Sequence, residues 1–249
     1  MTKENCILVD KLTKRYNKAS EDSLKQVSFT VYKGEKFGIL GPNGAGKTTL
    51  ISILCGILKA TSGEYTYQNN GISLSSSDIK KQIGFVPQDY AFYEELTPIQ
   101  NMMYFGAFYK LSKKEIAERA EEIFSVLDIQ KLADKKVKTF SGGVKRRMSL
   151  AIGIVHKPSV LFLDEPTVGA DVQSKYAMIN YLNKLNSEGT TIVYTSHHMS
   201  EAEEFCNRVV FIDNGMFIAC DTVDNLKSKY NVDDLKTLFI NLTTEKKEL

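Results

Sequence analysis

The segment Gly-Pro-Asn-Gly-Ala-Gly-Lys-Thr at residues 41–48 constrains the fold of this chain more than any other feature. It matches the phosphate-loop pattern GxxxxGK(S/T) at every fixed position, where glycines let consecutive backbone amides wrap around a phosphate group. A β-rich run, Phe37–Leu40, precedes the loop, and the apolar run Leu50–Leu58 reads as the buried helix that follows it. The motif requires this order, so we expect nucleotide binding on an α/β scaffold.

The loop residues have separate chemical roles. Lys47 provides a point charge for the outer phosphates, the Thr48 hydroxyl is suited to ligate Mg²⁺, and the following helix directs its positive end at the anion. The residues expected to contact the nucleotide phosphates are Gly41, Asn43, Gly44, Ala45, Gly46, Lys47, Thr48 and Thr49.

The remaining chain alternates strands and helices around a helical middle. Further strands are expected at Ile7–Val9, Val27–Val31, Tyr65–Tyr67, Val160–Leu163, Thr190–Thr195, Val209–Ile212 and Met216–Ala219, with hairpin turns at Asn70-Gly71 and Asn214-Gly215. Thr97-Pro98 is a helix start, and Ser112 with Glu115 forms a capping box.

These patterns predict an α/β fold. It combines a phosphate-loop NTPase core with a parallel sheet, an N-terminal antiparallel β region and an inserted helical subdomain. We expect one domain over residues 1–249, with its core at 1–95 and 157–225, the helical subdomain at 96–156 and a short C-terminal tail at 226–249. The tail includes the charged run Glu245-Lys-Lys-Glu.

Composition excludes several classes of protein. The net charge of +2 does not indicate nucleic-acid binding. The four cysteines lack metal-ligand spacing and are expected to be reduced thiols. No apolar run approaches the roughly 18 residues of a membrane span, and the N-terminus lacks an apolar signal core. We therefore expect a soluble, cytoplasmic protein.

A second motif completes a phosphoryl-transfer pattern. The apolar strand Val160–Leu163 ends in Asp164 and Glu165. An Asp at a strand tip holds Mg²⁺ in phosphate-loop enzymes, and the adjacent Glu165 is placed to orient or deprotonate an attacking water. Acids commonly end strands at the solvent boundary, but after a phosphate loop the functional interpretation is favoured.

Between these motifs lies Phe140-Ser-Gly-Gly-Val-Lys-Arg-Arg147, which resembles the signature of the ABC family, usually written LSGGQ. The phosphate loop, this signature and the Asp-Glu strand, in that order, look like the nucleotide-binding subunit of an ABC transporter. The resemblance covers roughly residues 5 to 225. The hydrophobic residue at the fifth signature position, followed by Lys-Arg-Arg, resembles the branch serving exporters of drugs, peptides or lipids.

The resemblance implies further roles, with ATP and Mg²⁺ as the bound species. Tyr16 would stack on adenine, although a strand-edge aromatic is the alternative. Gln88 would bind the nucleotide, Mg²⁺ or the attacking water, and Asp171 would lie along a dimer seam. His197 would contact the γ-phosphate, with His198 beside it as a rival. Catalysis would then depend on Lys47, Glu165 and His197, and the metal ligands would be Thr48, Gln88 and Asp164.

The resemblance also implies a head-to-tail dimer. The Ser141 hydroxyl and the amides of Gly142 and Gly143 open an apparent helix and would bind the ATP held by the other subunit. Val144 replaces the usual Gln, so we expect weaker clamping of ATP rather than an inactive site. The charges of Lys145, Arg146 and Arg147 read as a solvated face.

The implied partners are a second ATP-binding subunit, identical or closely related, and a multi-span permease. The permease would dock near Gln88, on part of the aromatic-rich stretch Tyr90–Tyr109, and would hold the subunit on the inner face of the cell membrane. Helical-subdomain core is the alternative for these aromatic residues. The expected function is an ATPase that powers transport by dimer closure and reopening. The alternatives are a soluble ABC-type ATPase, as in iron–sulfur cluster assembly, and a non-hydrolysing nucleotide sensor.

Overall fold

A computed structural model describes residues 4–69 and 71–244. The strands are β1 (Asn5–Lys14), β2 (Leu24–Tyr32), β3 (Lys36–Leu40), β4 (Ser62–Asn69), β5 (Ile72–Ser73), β6 (Ile83–Val86), β7 (Val160–Asp164), β8 (Thr191–Ser196), β9 (Arg208–Asp213) and β10 (Met216–Thr222). The α-helices are α1 (Lys47–Leu54), α2 (Ser76–Gln82), α3 (Pro98–Phe108), α4 (Lys113–Val126), α5 (Gly142–Gly153), α6 (Val172–Ser187), α7 (Met199–Phe205), α8 (Val223–Tyr230) and α9 (Leu235–Thr244).

The chain divides into two compact units. Unit 1 comprises residues 1–80 and 191–249, and unit 2 comprises residues 81–190. The expected mixture of a parallel sheet and an antiparallel β region is confirmed. The more detailed division at residues 95, 156 and 225 stays a prediction.

An antiparallel sheet of order β2-β1-β4-β5 forms the first layer of unit 1. In β1, Ile7 lies opposite Val31 of β2 and Tyr67 of β4. These three side chains are at most 2% exposed, so one face of the sheet faces the core. The predicted Asn70-Gly71 turn includes Asn70, which lies outside the described residues.

In unit 1, β3 is a central parallel strand. It pairs in parallel with β8 and β9, and β9 continues into the antiparallel strand β10. Leu40, the last residue of β3, is in register with Ser196 of β8 and Phe211 of β9. Because parallel strands end at the same edge, the loops that follow β3 and β8 emerge side by side.

The first helix begins and ends earlier than the apolar run Leu50–Leu58 predicts. It starts at Lys47, inside the phosphate-loop motif, and ends at Leu54. Gly56 has a left-handed φ of 71°, which is typical of a helix C-terminus. Ile57 and Leu58 therefore continue the apolar run beyond the helix.

Unit 2 contains the parallel pair β6 and β7 and the expected helical region. All five residues of β7 are buried, which explains the continuous apolar run before Asp164. The predicted helix start at Thr97-Pro98 is confirmed, and the structure adds a capping box between Thr97 and Gln100 there. The predicted capping box of Ser112 and Glu115 begins α4 and is also confirmed.

The segment after residue 225 differs from the expected tail. It completes α8 and adds α9, in which Leu235 and Leu238 are fully buried. The Asp234 carboxylate accepts a hydrogen bond from the Thr237 amide and so caps the first turn of α9. The charged run Glu245-Lys-Lys-Glu lies outside the described residues. In residues 4–69 and 71–244, no helix has the length and apolar character needed to span a bilayer.

Candidate nucleotide-binding site

The phosphate loop of unit 1 follows β3 and has a backbone that only glycine accommodates. Gly46 has φ of 105°, and a Cβ atom there would lie 2.6 Å from the Ser23 carbonyl oxygen. A Cβ atom on Gly41 would collide with the carbonyl oxygen of Ile212. A side chain at either position would collide with the backbone, which explains why both residues are glycine. The loop leads directly into α1.

Lys47 is held inside this loop although it is charged. Its side chain is only 5% exposed, and its Nζ atom donates to the carbonyl oxygens of Gly41 and Pro42 at 2.9 and 3.0 Å. These bonds keep the ammonium group within the curve of the loop, where the motif places phosphate oxygens. Thr48 is exposed at the first turn of α1.

Tyr16 lies beside the phosphate-loop helix in the same unit. Its Oη atom is 3.1 Å from the Thr49 Oγ1 atom, and its ring is 44% exposed. Lys14 Nζ is 5.4 Å from the ring centroid. Tyr16 therefore presents an accessible ring tied to the nucleotide loop, as the stacking hypothesis requires.

His197 directly follows β8, at the edge where β3 leads into the phosphate loop. Its ring is half-buried, whereas the His198 ring is exposed; the two centroids are 4.0 Å apart. The Ser196 hydroxyl accepts from the His198 amide at 2.9 Å, which fixes the turn after the strand. Both histidines line a cleft with Pro42 of the phosphate loop, so the assignment of His197 rather than His198 stays a prediction.

In unit 2, the two acids at the tip of β7 are both buried. Asp164 is 1% exposed and Glu165 is 5% exposed. Glu165 also has a left-handed backbone φ of 48°, which is unfavourable for a residue with a side chain. Such conformations persist where surrounding structure imposes them, and they concentrate at functional sites.

Gln88 lies two residues beyond β6 and its side chain is exposed. Arg146 fixes its backbone: the Nη1 atom donates to the Gln88 carbonyl oxygen at 2.6 Å and to that of Pro87 at 3.3 Å. The Nη2 atom donates to the Val168 carbonyl oxygen at 3.3 Å. One guanidinium thus joins α5, the segment after β6 and the segment after Glu165.

The expectation that residues 145–147 form a solvated face is wrong for Arg146, which is 5% exposed. Its helical spacing offered a signal: Arg146 lies three residues after Gly143 and four before Leu150, and all three are buried. The missed function is therefore structural positioning of two loops. Arg147 is also engaged, because it donates to the carbonyl oxygen of Leu127 at 2.8 Å.

The signature forms the start of α5 as predicted. Ser141 is the N-cap residue and accepts from the Val144 amide at 3.5 Å, while Gly142 is exposed. The Tyr90 hydroxyl donates to the Gly142 carbonyl oxygen at 3.1 Å, and Arg146 lies 5.0 Å from the Tyr90 ring centroid. Tyr90 therefore connects the Gln88 segment with the signature helix.

The position of the Asp171 side chain explains why residue 143 is a glycine. The Asp171 carboxylate caps α6 by accepting from the Ser174 amide at 2.8 Å, and hydrogen bonding holds its pKa below the ordinary value. A Cβ atom on Gly143 would collide with this carboxylate and with the Ser174 hydroxyl. The signature helix and α6 therefore meet closely at their N-termini.

The predicted residues fall in both units. Unit 1 contains Tyr16, the loop residues 41–49 and His197, and unit 2 contains Gln88, Ser141, Gly142, Gly143, Asp164, Glu165 and Asp171. Within unit 1 the structure brings the loop, Tyr16 and the segment leading to His197 together. Within unit 2 it connects the Gln88 segment, the signature and the segment after Glu165.

The donor chemistry fits Mg²⁺. The predicted ligands Thr48, Gln88 and Asp164 are all oxygen donors, as this hard cation prefers. Within the described residues no group of three or more His, Cys, Asp or Glu side chains could hold a metal ion.

Comparisons with known proteins show which family the chain belongs to. Residues 24–168 match the family model described as ABC transporter. The chain is 40% identical over 232 residues to the linearmycin resistance ATP-binding protein LnrL of Bacillus subtilis (strain 168), covering 93% of this chain and 74% of that protein. It is 34% identical over 226 residues to the daunorubicin resistance ATP-binding protein DrrA3 of Streptomyces coeruleorubidus, covering 91% of this chain and 71% of that protein.

A solved structure gives the same result. The dimeric ATP-binding cassette MJ0796, in a post-hydrolysis state bound to ADP and Pi, superposes with a TM-score of 0.77 at 27% identity. The match covers 87% of this chain and 98% of that one. The comparisons give no support to the iron–sulfur alternative. The chain therefore belongs to the ABC transporter family, as an ATP-binding and ATP-hydrolysing subunit of a membrane transporter.

Proposed function

We propose that this subunit drives the export of a drug-like or lipid-like molecule by ATP-dependent closure and reopening of a dimer. The observation that carries the proposal is the phosphate loop, with Lys47 buried inside it and donating to two of its carbonyl oxygens. The names of LnrL and DrrA3 refer to resistance against linearmycin and daunorubicin, which supports an exporter of bulky organic molecules.

The nucleotide is assigned first to unit 1. Backbone amides of Gly41 and of residues 43–49, together with the Lys47 ammonium, bind the phosphates, and Tyr16 stacks on the adenine. The exposed ring of Tyr16 and its contact with Thr49 support that role. Thr48 and Asp164, with Gln88, would hold Mg²⁺, which supplies positive charge for the transferring phosphoryl group.

Glu165 is assigned the role of accepting a proton from the attacking water, and His197 that of contacting the γ-phosphate. The burial of Glu165 and its left-handed backbone indicate that the surrounding structure constrains this residue. A fixed general base avoids reorganisation during the reaction.

A second subunit would complete the site. Ser141, Gly142 and Gly143 at the start of α5 would bind the ATP of the opposite subunit, and Asp171 would line the seam. The exposure of Ser141 and Gly142 leaves this helix end accessible for such a contact. ATP contacts made only in the closed dimer would then drive closure.

The permease would dock on aromatic residues near Gln88. Tyr93, Tyr104 and Phe108 are 49%, 42% and 69% exposed, and Tyr104 makes edge-to-face contacts with the other two rings. Tyr109 fits the alternative, a place in the core of the helical subdomain, because it is half-buried and its ring centroid lies 3.6 Å from that of His156. Docking would place the subunit on the inner face of the cell membrane.

Co-purification tests the proposal. A Glu165→Gln variant, expressed with a multi-span membrane protein from a neighbouring reading frame, should be recovered with ATP as a dimer on that protein. Lys47→Ala in the same background should abolish this ATP-dependent assembly, because phosphate binding is lost. Recovery of the trapped dimer with non-membrane proteins alone would contradict the transporter assignment.

A further inference from the structure

A cleft in unit 2 has features of a binding site that the ATPase mechanism does not use. Its volume is about 430 Å³, within the usual range of small-molecule sites. It is bordered by α4, by the segment that joins α5 to β7, and by the C-terminal end of α6.

Arg119 on α4 lies half-buried in this cleft with its charge only partly satisfied. Its Nη2 atom donates to the Ile154 carbonyl oxygen at 3.2 Å, while its buried Nε atom has no hydrogen-bond partner. Throughout residues 4–69 and 71–244, no carboxylate forms an ion pair with this guanidinium. A desolvated cation is unfavourable unless an anion compensates it, and its pKa is accordingly lowered by burial.

Tyr181 on α6 contributes a second donor. Its side chain is only 3% exposed and lines the cleft. Burial raises the pKa of Tyr181 to about 12, so the phenol keeps its proton near neutral pH. Lys157, which is exposed, adds an ammonium group to the lining.

Two acids, Glu122 and Glu188, also line the cleft, and Lys184 offsets one of their two negative charges. Lys184 lies 3.3 Å from the Glu122 carboxylate and 3.9 Å from the Glu188 carboxylate. Arg119, Lys157 and Lys184 together outweigh the two carboxylates by one positive charge, so the cleft and its rim remain net cationic although Glu122 also acts on Arg119.

We propose that this cleft binds a small organic phosphate through Arg119, Lys157 and Tyr181. Arginine's planar donor set suits phosphate oxygens, and lysine and tyrosine can donate to the remaining ones. The volume exceeds that of a lone phosphate group, which leaves room for an organic part. The ligand would join α4, the segment leading into β7, and α6, so its binding should stabilise unit 2.

Thermal unfolding of the full chain, saturated with ADP, tests the proposal. The added probes are inorganic phosphate and glycerol phosphate, each at constant ionic strength. We expect a saturable rise in the unfolding midpoint, with an affinity reduced about tenfold or more in Arg119→Met or Lys157→Met and a smaller loss in Tyr181→Phe. A stronger effect of glycerol phosphate would identify an ester as the preferred source of the phosphate group.

The matched control is Lys114→Met, which removes an exposed cation from the same helix, where Lys114 pairs with Glu118. It should retain the wild-type affinity. Lys47→Ala, measured without ADP because it loses nucleotide binding, should still show the rise in unfolding midpoint, because the phosphate loop is not the site. Failure of Lys47→Ala to respond would assign the anion to the nucleotide loop and overturn the proposal.

Equal affinities in the wild type and in all three cleft variants, or no saturable rise in the wild type, would also overturn it. Circular dichroism establishes folding of each variant. If Arg119→Met does not fold, Lys157→Met and Tyr181→Phe decide the outcome.

Discussion

Glu165 is buried and has a left-handed backbone, so the surrounding structure constrains its conformation. If it activates the attacking water, Glu165→Gln should lower the rate of ATP hydrolysis by about 10²–10⁴-fold, while ATP affinity changes little. Phosphate release and nucleotide titration measure the two quantities.

The matched control for this variant is Glu121→Gln, an exposed position on α4 that should hydrolyse ATP at the wild-type rate. Unchanged turnover in Glu165→Gln would remove Glu165 from the mechanism. Loss of ATP binding together with turnover would point to a folding defect instead.

His156 couples the stability of the protein to pH. Its ring stacks on Tyr109, and its Nε2 atom lies 2.9 Å from the Ile83 carbonyl oxygen. Burial lowers the pKa of His156 from 6.5 to about 4, against a smaller raising effect of the bond to Ile83. Between pH 4 and 6.5 the unfolded chain therefore binds more protons at this residue, so stability must fall as the pH falls through that range.

His156→Phe should remove this contribution. The free energy of unfolding lost between pH 7 and pH 4.5 should be smaller in the variant by on the order of 2 kcal/mol. Denaturant unfolding at the two pH values measures it. The exposed His198, replaced by Phe, is the control and should keep the wild-type pH dependence; the same dependence in His156→Phe would refute the argument.

Among the helices, α4 shows how much a local cap contributes. Ser112 accepts from the Glu115 amide at 3.2 Å, and the Glu115 carboxylate accepts from the Ser112 amide at 2.7 Å. Ser112→Ala should lower the free energy of unfolding by about 1 kcal/mol. Ser125→Ala, at an exposed site in the same helix, should leave stability nearly unchanged, and an equal loss in both variants would contradict a specific capping effect.

The accuracy of sequence-based prediction differed between elements for physical reasons. Local patterns determine the start of α3 at Thr97-Pro98, the capping box of α4 and the buried strand β7, and these were predicted. The end of α1 was misplaced because the conformation of Gly56 interrupts an apolar run. α8 and α9 were missed because their buried residues are few and separated by polar ones, so tertiary packing determines them.

The site was predicted in the same uneven way. Phosphate-loop residues follow from a pattern whose chemistry fixes each position. Arg146 points inward because it donates to the carbonyl oxygens of Pro87, Gln88 and Val168. These residues are distant from Arg146 in sequence, so no local pattern predicts the contacts. The left-handed conformation of Glu165 is likewise imposed by its surroundings, because a residue with a side chain does not favour it.

At the scale of the molecule, Val144 should weaken the ATP-bound dimer. Its half-buried side chain cannot form the polar contacts of the usual Gln, whereas its amide already serves the Ser141 cap. In a Glu165→Gln background with ATP, Val144→Gln should lower the dimer dissociation constant by about 2- to 10-fold. Light scattering across a concentration series measures this constant.

Val126→Gln is the matched control, because it makes the same substitution at an exposed position of α4. It should leave dimerisation unchanged. An unaltered dissociation constant in Val144→Gln would show that the fifth signature position does not influence clamping.

Arg146 has a mechanical consequence for unit 2. Its guanidinium is rigid and planar, and it donates to the main-chain oxygens of Gln88 and Val168. The segments that contain these two residues therefore cannot move independently of α5 without breaking hydrogen bonds. A displacement of the backbone around Gln88 would therefore be accompanied by a displacement of the beginning of α5 and of the chain just past Glu165. One side chain would then work as a linkage, converting displacement at a docking surface into movement of the catalytic segment.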